Sequence, residues 1–86
     1  MKLFRLRITT PSGEAFDGDI ARFSCRGVEG ELAVMADHVP FVTYVKEGEC
    51  RITDGDGQVR VATSGGGLLT VGKEVTYFLP TSLSFS

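Results

Sequence analysis

A one-sided charge balance is missing from this sequence: nine Lys and Arg stand against eleven Asp and Glu, a formal charge of −2 over 86 residues. So small a net charge leaves no electrostatic footprint for a phosphate backbone, which sets nucleic-acid binding aside. Long apolar runs are missing as well. The leading residues, Met1 to Ile8, are interrupted by Lys2, Arg5 and Arg7, so they make no signal-peptide core, and no stretch approaches the roughly 20 apolar residues that span a bilayer. Cysteine is scarce: Cys25 and Cys50 lie inside strand-like runs rather than in a dense disulfide framework. Without an export signal the expected compartment is cytosolic and reducing. There the two thiols serve as buried small apolar residues, a disulfide being the alternative. Helical periodicity is the last absence, since no convincing 3.6-residue apolar stripe occurs anywhere.

What the sequence has instead is alternation by two. From Leu3 to Thr10, Phe4, Leu6 and Ile8 fall on one side and Arg5 and Arg7 on the other, the mark of a strand with one wet face. Pro11-Ser12-Gly13 turns the chain, Glu14-Ala15-Phe16 is a short run closed by Asp17-Gly18, and Ala21, Phe23 and Cys25 then alternate with Arg22, Ser24 and Arg26. Leu32 to Met35 and Phe41 to Val45 read as two further strands. Glu49 to Thr53 and Gln58 to Thr63 flank Asp54-Gly55-Asp56-Gly57, which supplies the positive φ of a tight hairpin and sets Cys50 and Ile52 against Val59 and Val61. Beyond Ser64-Gly65-Gly66-Gly67, Leu68 to Val71 and Val75 to Leu79 form a last hairpin around Gly72-Lys73. Eight or more short strands with Gly-rich turns predict an all-β fold of two packed antiparallel sheets, a β-sandwich or flattened barrel, in one domain over residues 1–86. Phe4, Leu6, Ile8, Phe23, Ile52, Val59, Val61 and Val75 are expected mainly inward.

Several stretches invite a chemical reading, and each has a plainer one. Asp54-Gly55-Asp56-Gly57 resembles the start of a calcium loop, but the sixth and twelfth positions, which need Gly and Glu, hold Val59 and Gly65. It is read as a hairpin turn. Ser64-Gly65-Gly66-Gly67 looks like a phosphate cradle, yet no Lys-Ser or Lys-Thr follows and no helix begins there, so it is read as a strand break where another backbone comes close. Cys25, His38 and Cys50 are three conceivable zinc ligands without paired C-x-x-C spacing, and a small metal- or ligand-binding β-sandwich built on them is the alternative function. Asp37 and His38 could belong to a triad, but no nucleophile elbow accompanies them. No catalytic residue, resident metal or cofactor is therefore expected, and the single histidine is left to contact a partner.

The stretch Gly27-x-Glu29-Gly30-Glu31-Leu32-x-Val34-x-x-x-His38-x-Pro40 closely resembles the signature of the epsilon subunit of the F-type ATP synthase, Gly-x-Glu-Gly-Glu-Leu-Gly-Ile-x-Pro-Gly-His-Ala-Pro. Thr10-Pro11-Ser12-Gly13-Glu14 with Phe16-Asp17-Gly18 resembles the family's opening hairpin, and Gly48 to Ile52 and Ser64-Gly65-Gly66 fall at its spacing, so the likeness covers nearly the whole chain. Departures exist. Ala33 replaces a glycine, Ala36-Asp37 replaces Pro-Gly and so moves a positive φ onto an aspartate, and Gly67 and Leu69 stand where a large apolar residue and a Glu are usual.

The resemblance implies a non-catalytic domain at the foot of the rotor, joining the gamma subunit to the membrane ring of c subunits and coupling ion translocation to ATP synthesis. Residue by residue, Glu29, Gly30 and Glu31 would face the polar loops of the c-ring, where carboxylates pair with basic side chains, and His38 would lie on the side facing gamma. It implies a peripheral position at the cytoplasmic face of the membrane, with no cofactor. The helical pair that follows the sandwich in this family and restrains ATP hydrolysis is not among these 86 residues. The chain is therefore expected to bring no inhibition of that kind, whether it is naturally short or a piece of a longer protein.

Overall fold

The computed structural model describes residues 2–86, and every regular element among them is a strand. In chain order these are β1 (Phe4–Thr10), β2 (Gly13–Ile20), β3 (Arg22–Gly27), β4 (Gly30–Met35), β5 (Phe41–Val45), β6 (Gly48–Thr53), β7 (Val59–Ser64), β8 (Gly67–Val71), β9 (Val75–Pro80) and β10 (Leu83–Phe85). Hydrogen bonding orders them as β4-β3-β6-β7-β10 in one sheet and β5-β8-β9-β1-β2 in the other. The sheets touch through one ladder position, Gly27 opposite Val45, which makes the sandwich a nearly closed barrel.

Alternation along each strand builds the core. Leu6 and Ile8 of β1, Phe23 and Cys25 of β3, Cys50 and Ile52 of β6, Leu69 and Val71 of β8 and Phe78 of β9 are all buried. Phe23 and Phe78 come from opposite sheets and meet with ring centroids 5.5 Å apart at a tilt of 50°, a favoured arrangement of two ring quadrupoles. Between β7 and β8 the chain changes sheets at Gly65-Gly66-Gly67. A Cβ on Gly67 would overlap the Leu79 carbonyl and Pro80, so the close backbone approach read from the glycine run is present, and its partner is β9.

The expected face assignment holds for Leu6, Ile8, Phe23 and Ile52 and fails for part of the rest. Phe4 is half-buried but packs against the core as expected, whereas Val59 lies outward and is 51% exposed, and Val61 and Val75 are half-buried at outward positions opposite Arg51 and Arg5. The cause in β7 is the turn. The Asp54 carboxylate accepts from the amides of Asp56 and Gln58 at 2.9 and 3.0 Å, Gly57 takes φ 85°, and Thr53 thereby pairs with Val59. Cys50 then faces Ala62 and Ile52 faces Arg60 instead of Val61 and Val59, a one-residue slip that turns the two valines outward. Ala62 and Ser64 take the inward places.

Three further differences are local. Asp17-Gly18 does not close the second run: β2 continues to Ile20 because Arg5 Nε and Nη2 hold Asp17 across the β1–β2 ladder at 2.9 and 2.8 Å. Pairing is antiparallel except between β1 and β9, which run parallel from Arg5/Val75 to Ile8/Phe78. Finally, β10 forms at the edge of β7 without a distinct sequence signal. Side chains add to its backbone ladder: the Arg60 guanidinium lies 3.9 Å from the Phe85 ring centre and 5.9 Å from that of Phe16 in β2.

Cutting Phe23 to Ala should cost roughly 3–5 kcal/mol of unfolding free energy in denaturant melts, a large share of a small domain's stability. Val59→Ala should change it by no more than about 0.5 kcal/mol. Equal losses at the two positions would mean that the register of β7 is misassigned.

Candidate partner-docking site

The outward faces of the two sheets differ in character. Over β4-β3-β6 the outward residues are mostly polar and of both signs, Arg22, Ser24 and Arg26 on β3, Glu31 on β4, Glu49 and Arg51 on β6, with Ala33 and the exposed Met35 of β4 as the apolar exceptions. Here Arg51 donates to Glu49 at 3.0–3.1 Å, and a groove of about 360 Å³ runs past Ser24 between Glu31 and Arg51. The other sheet is apolar outside. Tyr44, Leu68 and Leu79 are consecutive cross-strand partners over β5, β8 and β9, and Val42 and Tyr77 flank Thr70 one pair further on. All five apolar side chains are 40–61% exposed. An antiparallel sheet with a solvated face ordinarily alternates to polar residues there, and a contiguous apolar patch marks an interaction surface.

Charged side chains border this patch on one side. Arg7 follows Tyr77 across the parallel ladder, donates to Glu14 at 2.8 Å, and places its guanidinium 6.0 Å from the Tyr77 ring centre. Hydrogen bonding to Asp17, with its charge, raises the Arg5 pKa, and the same bond holds the Asp17 carboxyl below its ordinary value. Sequence reasoning missed the apolar face. The signal was available in Phe41-Val42-Thr43-Tyr44-Val45 and Val75-Thr76-Tyr77-Phe78-Leu79, where bulky residues occupy both phases of the alternation, so that burying one set leaves the other outside.

The residues singled out from sequence lie at two ends of β4. Glu29 sits in the exposed turn between β3 and β4, Gly30 follows at φ 128°, a conformation L side chains rarely adopt, and Glu31 stands directly opposite Arg26. His38 lies beyond the far end of β4, roughly 20 Å away by strand rise, in the exposed loop that leads to β5. Its ring packs against Phe41 with centroids 5.0 Å apart at a tilt of 48°, and its Nδ1 donates to the Val39 carbonyl at 3.1 Å. Val39 beside it is 74% exposed, and the histidine borders a small hollow with Phe4, Val71 and the turn between β8 and β9. Asp37 takes the positive φ anticipated for it, 66°, and its carboxylate accepts from Lys2 at 2.8 Å rather than from His38. The two are therefore not joined as a catalytic pair.

Cys25 and Cys50 are buried free thiols in the core, whereas His38 is exposed. The three do not assemble, and among the described residues no group of three His, Cys, Asp or Glu is placed to hold a metal. Burial pushes the Cys25 thiol up to about 12, with Cys50 and the Glu31 charge adding to it. Burial likewise pushes Cys50 up to about 11 against a lowering hydrogen bond from Ser64. Such raised values stabilise the fold below the ordinary thiol value of 9.0, where both states keep their protons. Above it the unfolded chain ionises first, and stability falls by about 1.4 kcal/mol per pH unit per thiol. Urea melts from pH 8 to 11 should therefore show a decline that the Cys25→Ala/Cys50→Ala double variant loses in large part. An identical decline in both proteins would place the titrating groups elsewhere.

Taken together, these observations define a small β-sandwich domain, whose chemistry-bearing side chains are dispersed while one broad face is left apolar. The family described as "ATP synthase, Delta/Epsilon chain, beta-sandwich domain" matches residues 3–80, and the chain belongs to that family. It is 42% identical over 76 residues to the "ATP synthase epsilon chain, sodium ion specific" of Acetobacterium woodii, covering 88% of this chain and 57% of that one. It is 38% identical over 79 residues to the like-named protein of Propionigenium modestum, covering 92% and 57%. A chain in the Euglena gracilis mitochondrial ATP synthase structure, described as "OSCP/F1/c-ring in rotational state 1", superimposes with a TM-score of 0.90 at 20% identity, over 96% of this chain and 53% of that one. A chain in the "central stalk/cring" structure of the Tetrahymena thermophila enzyme does so at 0.78 and 17%, over 96% and 66%. At those identities the superpositions speak for the fold. The chain spans somewhat more than half the length of these two curated relatives.

Proposed function

We propose that this domain is a non-catalytic part of the central stalk of an F1Fo ATP synthase, docking on gamma with one face and on the c-ring with one end. The observation that carries the proposal is the uncovered apolar face over β5, β8 and β9, with the His38 loop leading into β5 and the Glu29-Gly30-Glu31 turn at the opposite end of β4. Gamma would cover Val42, Tyr44, Leu68, Tyr77 and Leu79, with His38 at the margin. Glu29 and Glu31 would meet basic side chains of the c-ring loops in charge-assisted contacts. Support comes from family membership and from the stalk and c-ring assemblies named for its structural neighbours. The domain's contribution to coupling is mechanical, because a close-packed two-sheet core passes strain on rather than absorbing it. It is held peripherally, at the cytoplasmic face of the membrane, through the complex.

Binding to purified gamma and to membranes carrying the complex distinguishes the two contacts. Tyr44→Asp/Leu68→Asp should weaken gamma binding by at least about tenfold, or 1.4 kcal/mol, and His38→Ala should weaken it a few-fold. Glu29→Lys/Glu31→Gln should leave gamma binding unchanged and weaken assembly on membranes, chiefly through association rate and salt dependence. Glutamine is chosen at 31 because a lysine there would face Arg26 across the ladder and add a repulsion internal to the domain. Thermal melts run in parallel separate folding from docking. Full gamma binding by a folded Tyr44→Asp/Leu68→Asp protein would sink the assignment of that face.

A further inference from the structure

The antiparallel ladder between β3 and β6 pairs Arg22 with Thr53, Phe23 with Ile52 and Ser24 with Arg51, and there it ends. The next residue on each strand is a cysteine. Cys25 and Cys50 therefore follow on the same inward face, each buried and each a free thiol, and they are close enough for one to act on the other electrostatically. Carried one residue past Ser24 and Arg51, the register sets Cys25 opposite Cys50, and directly opposite residues of an antiparallel pair stand about 4.5–5.5 Å apart at Cα, inside the 4.4–6.8 Å that a disulfide bridges. The position is also mechanically distinct: the β3–β6 ladder ends one residue before it on β3, and two residues after it Gly27 meets Val45 of the other sheet.

We propose that Cys25 and Cys50 are a latent cross-strand redox pair, closed to a disulfide by exchange with a small-molecule disulfide such as glutathione disulfide, which staples β3 to β6 where their ladder ends. In the first step one cysteine thiolate attacks the small disulfide, forming a mixed disulfide and releasing one small thiolate. In the second the other cysteine thiolate attacks the protein sulfur of that mixed disulfide and releases the second small thiol. One disulfide is reduced, one is formed, and the two cysteine protons end on the two released thiols. In a reducing cytosol the resting form is the dithiol. Because both thiols are buried and seldom ionised, closure proceeds during folding or opening of the corner rather than on the closed fold. The pair is independent of the partner assignment above.

The test is redox equilibrium on the full 86-residue chain. Protein unfolded in urea is diluted into buffers spanning ratios of reduced to oxidised glutathione, quenched by alkylation, and weighed intact, with a parallel series kept in urea. The expected result is a monomer lacking two hydrogens and carrying no alkyl groups. Its half-oxidation point should lie at least about tenfold further toward the reducing side after refolding than in urea, as it must if the native fold holds the sulfurs together. Cys25→Ser should yield only a mixed disulfide or the free thiol. Equal half-oxidation points in the two series, a dithiol at every ratio, or only mixed and intermolecular disulfides would overturn the proposal.

Discussion

Phe23 and Phe78 meet at the centre of the molecule, one from each sheet, and the rest of the sandwich is arranged around keeping that contact dry. A chain of this size has little surplus hydrophobic energy, so few inward positions can be given up. Every strand that borders the pair supplies aliphatic or thiol side chains at two-residue intervals: Leu6 and Ile8, Cys50 and Ile52, Leu69 and Val71. Where the chain passes from one sheet to the other it does so through Gly65-Gly66-Gly67, because the backbones there lie too close for a side chain.

The open edges are managed differently at the two sides of the sandwich. Between β2 and β10 a cation does the work, with the Arg60 guanidinium lying over Phe85 and reaching toward Phe16. Such a contact is worth about 0.5–1 kcal/mol at an exposed site, and it draws a three-residue strand onto β7. On the other side β3 links the sheets through Gly27 and Val45. The thiol pair sits one step before that link, so the only two cysteines of the chain lie near its main structural corner.

The two outer faces differ in chemistry. A mixed-charge face over β4, β3 and β6 suits exposure to water, while the apolar face over β5, β8 and β9 suits cover by another chain. Such covering costs nothing in the core, because the two faces of each strand are chemically independent. The domain's most polar candidate contact, Glu29 to Glu31, stands at one end of β4 and its histidine beyond the other, so two partners could be engaged without competing.

Alternation in β1, β3 and β6, together with the turn chemistry of Asp54 to Gly57, made the all-β sandwich legible from the sequence, and the Gly27 to Pro40 signature made the family legible. Those features are local: each depends on a few neighbouring residues and on the two-residue period of a strand. The register of β7, the parallel pairing of β1 with β9, the recruitment of β10 and the adjacency of Cys25 and Cys50 depend on residues distant in sequence. A five-residue turn closed by the Asp54 carboxylate outweighed the preference of Val59 and Val61 for burial. The apolar outer face over β5, β8 and β9 belongs to the same class. Bulky residues in both phases of β5 and β9 announced a conflict, but only packing of the two sheets determined which phase was buried, because a side chain's surroundings are set by which strands come to lie across from it.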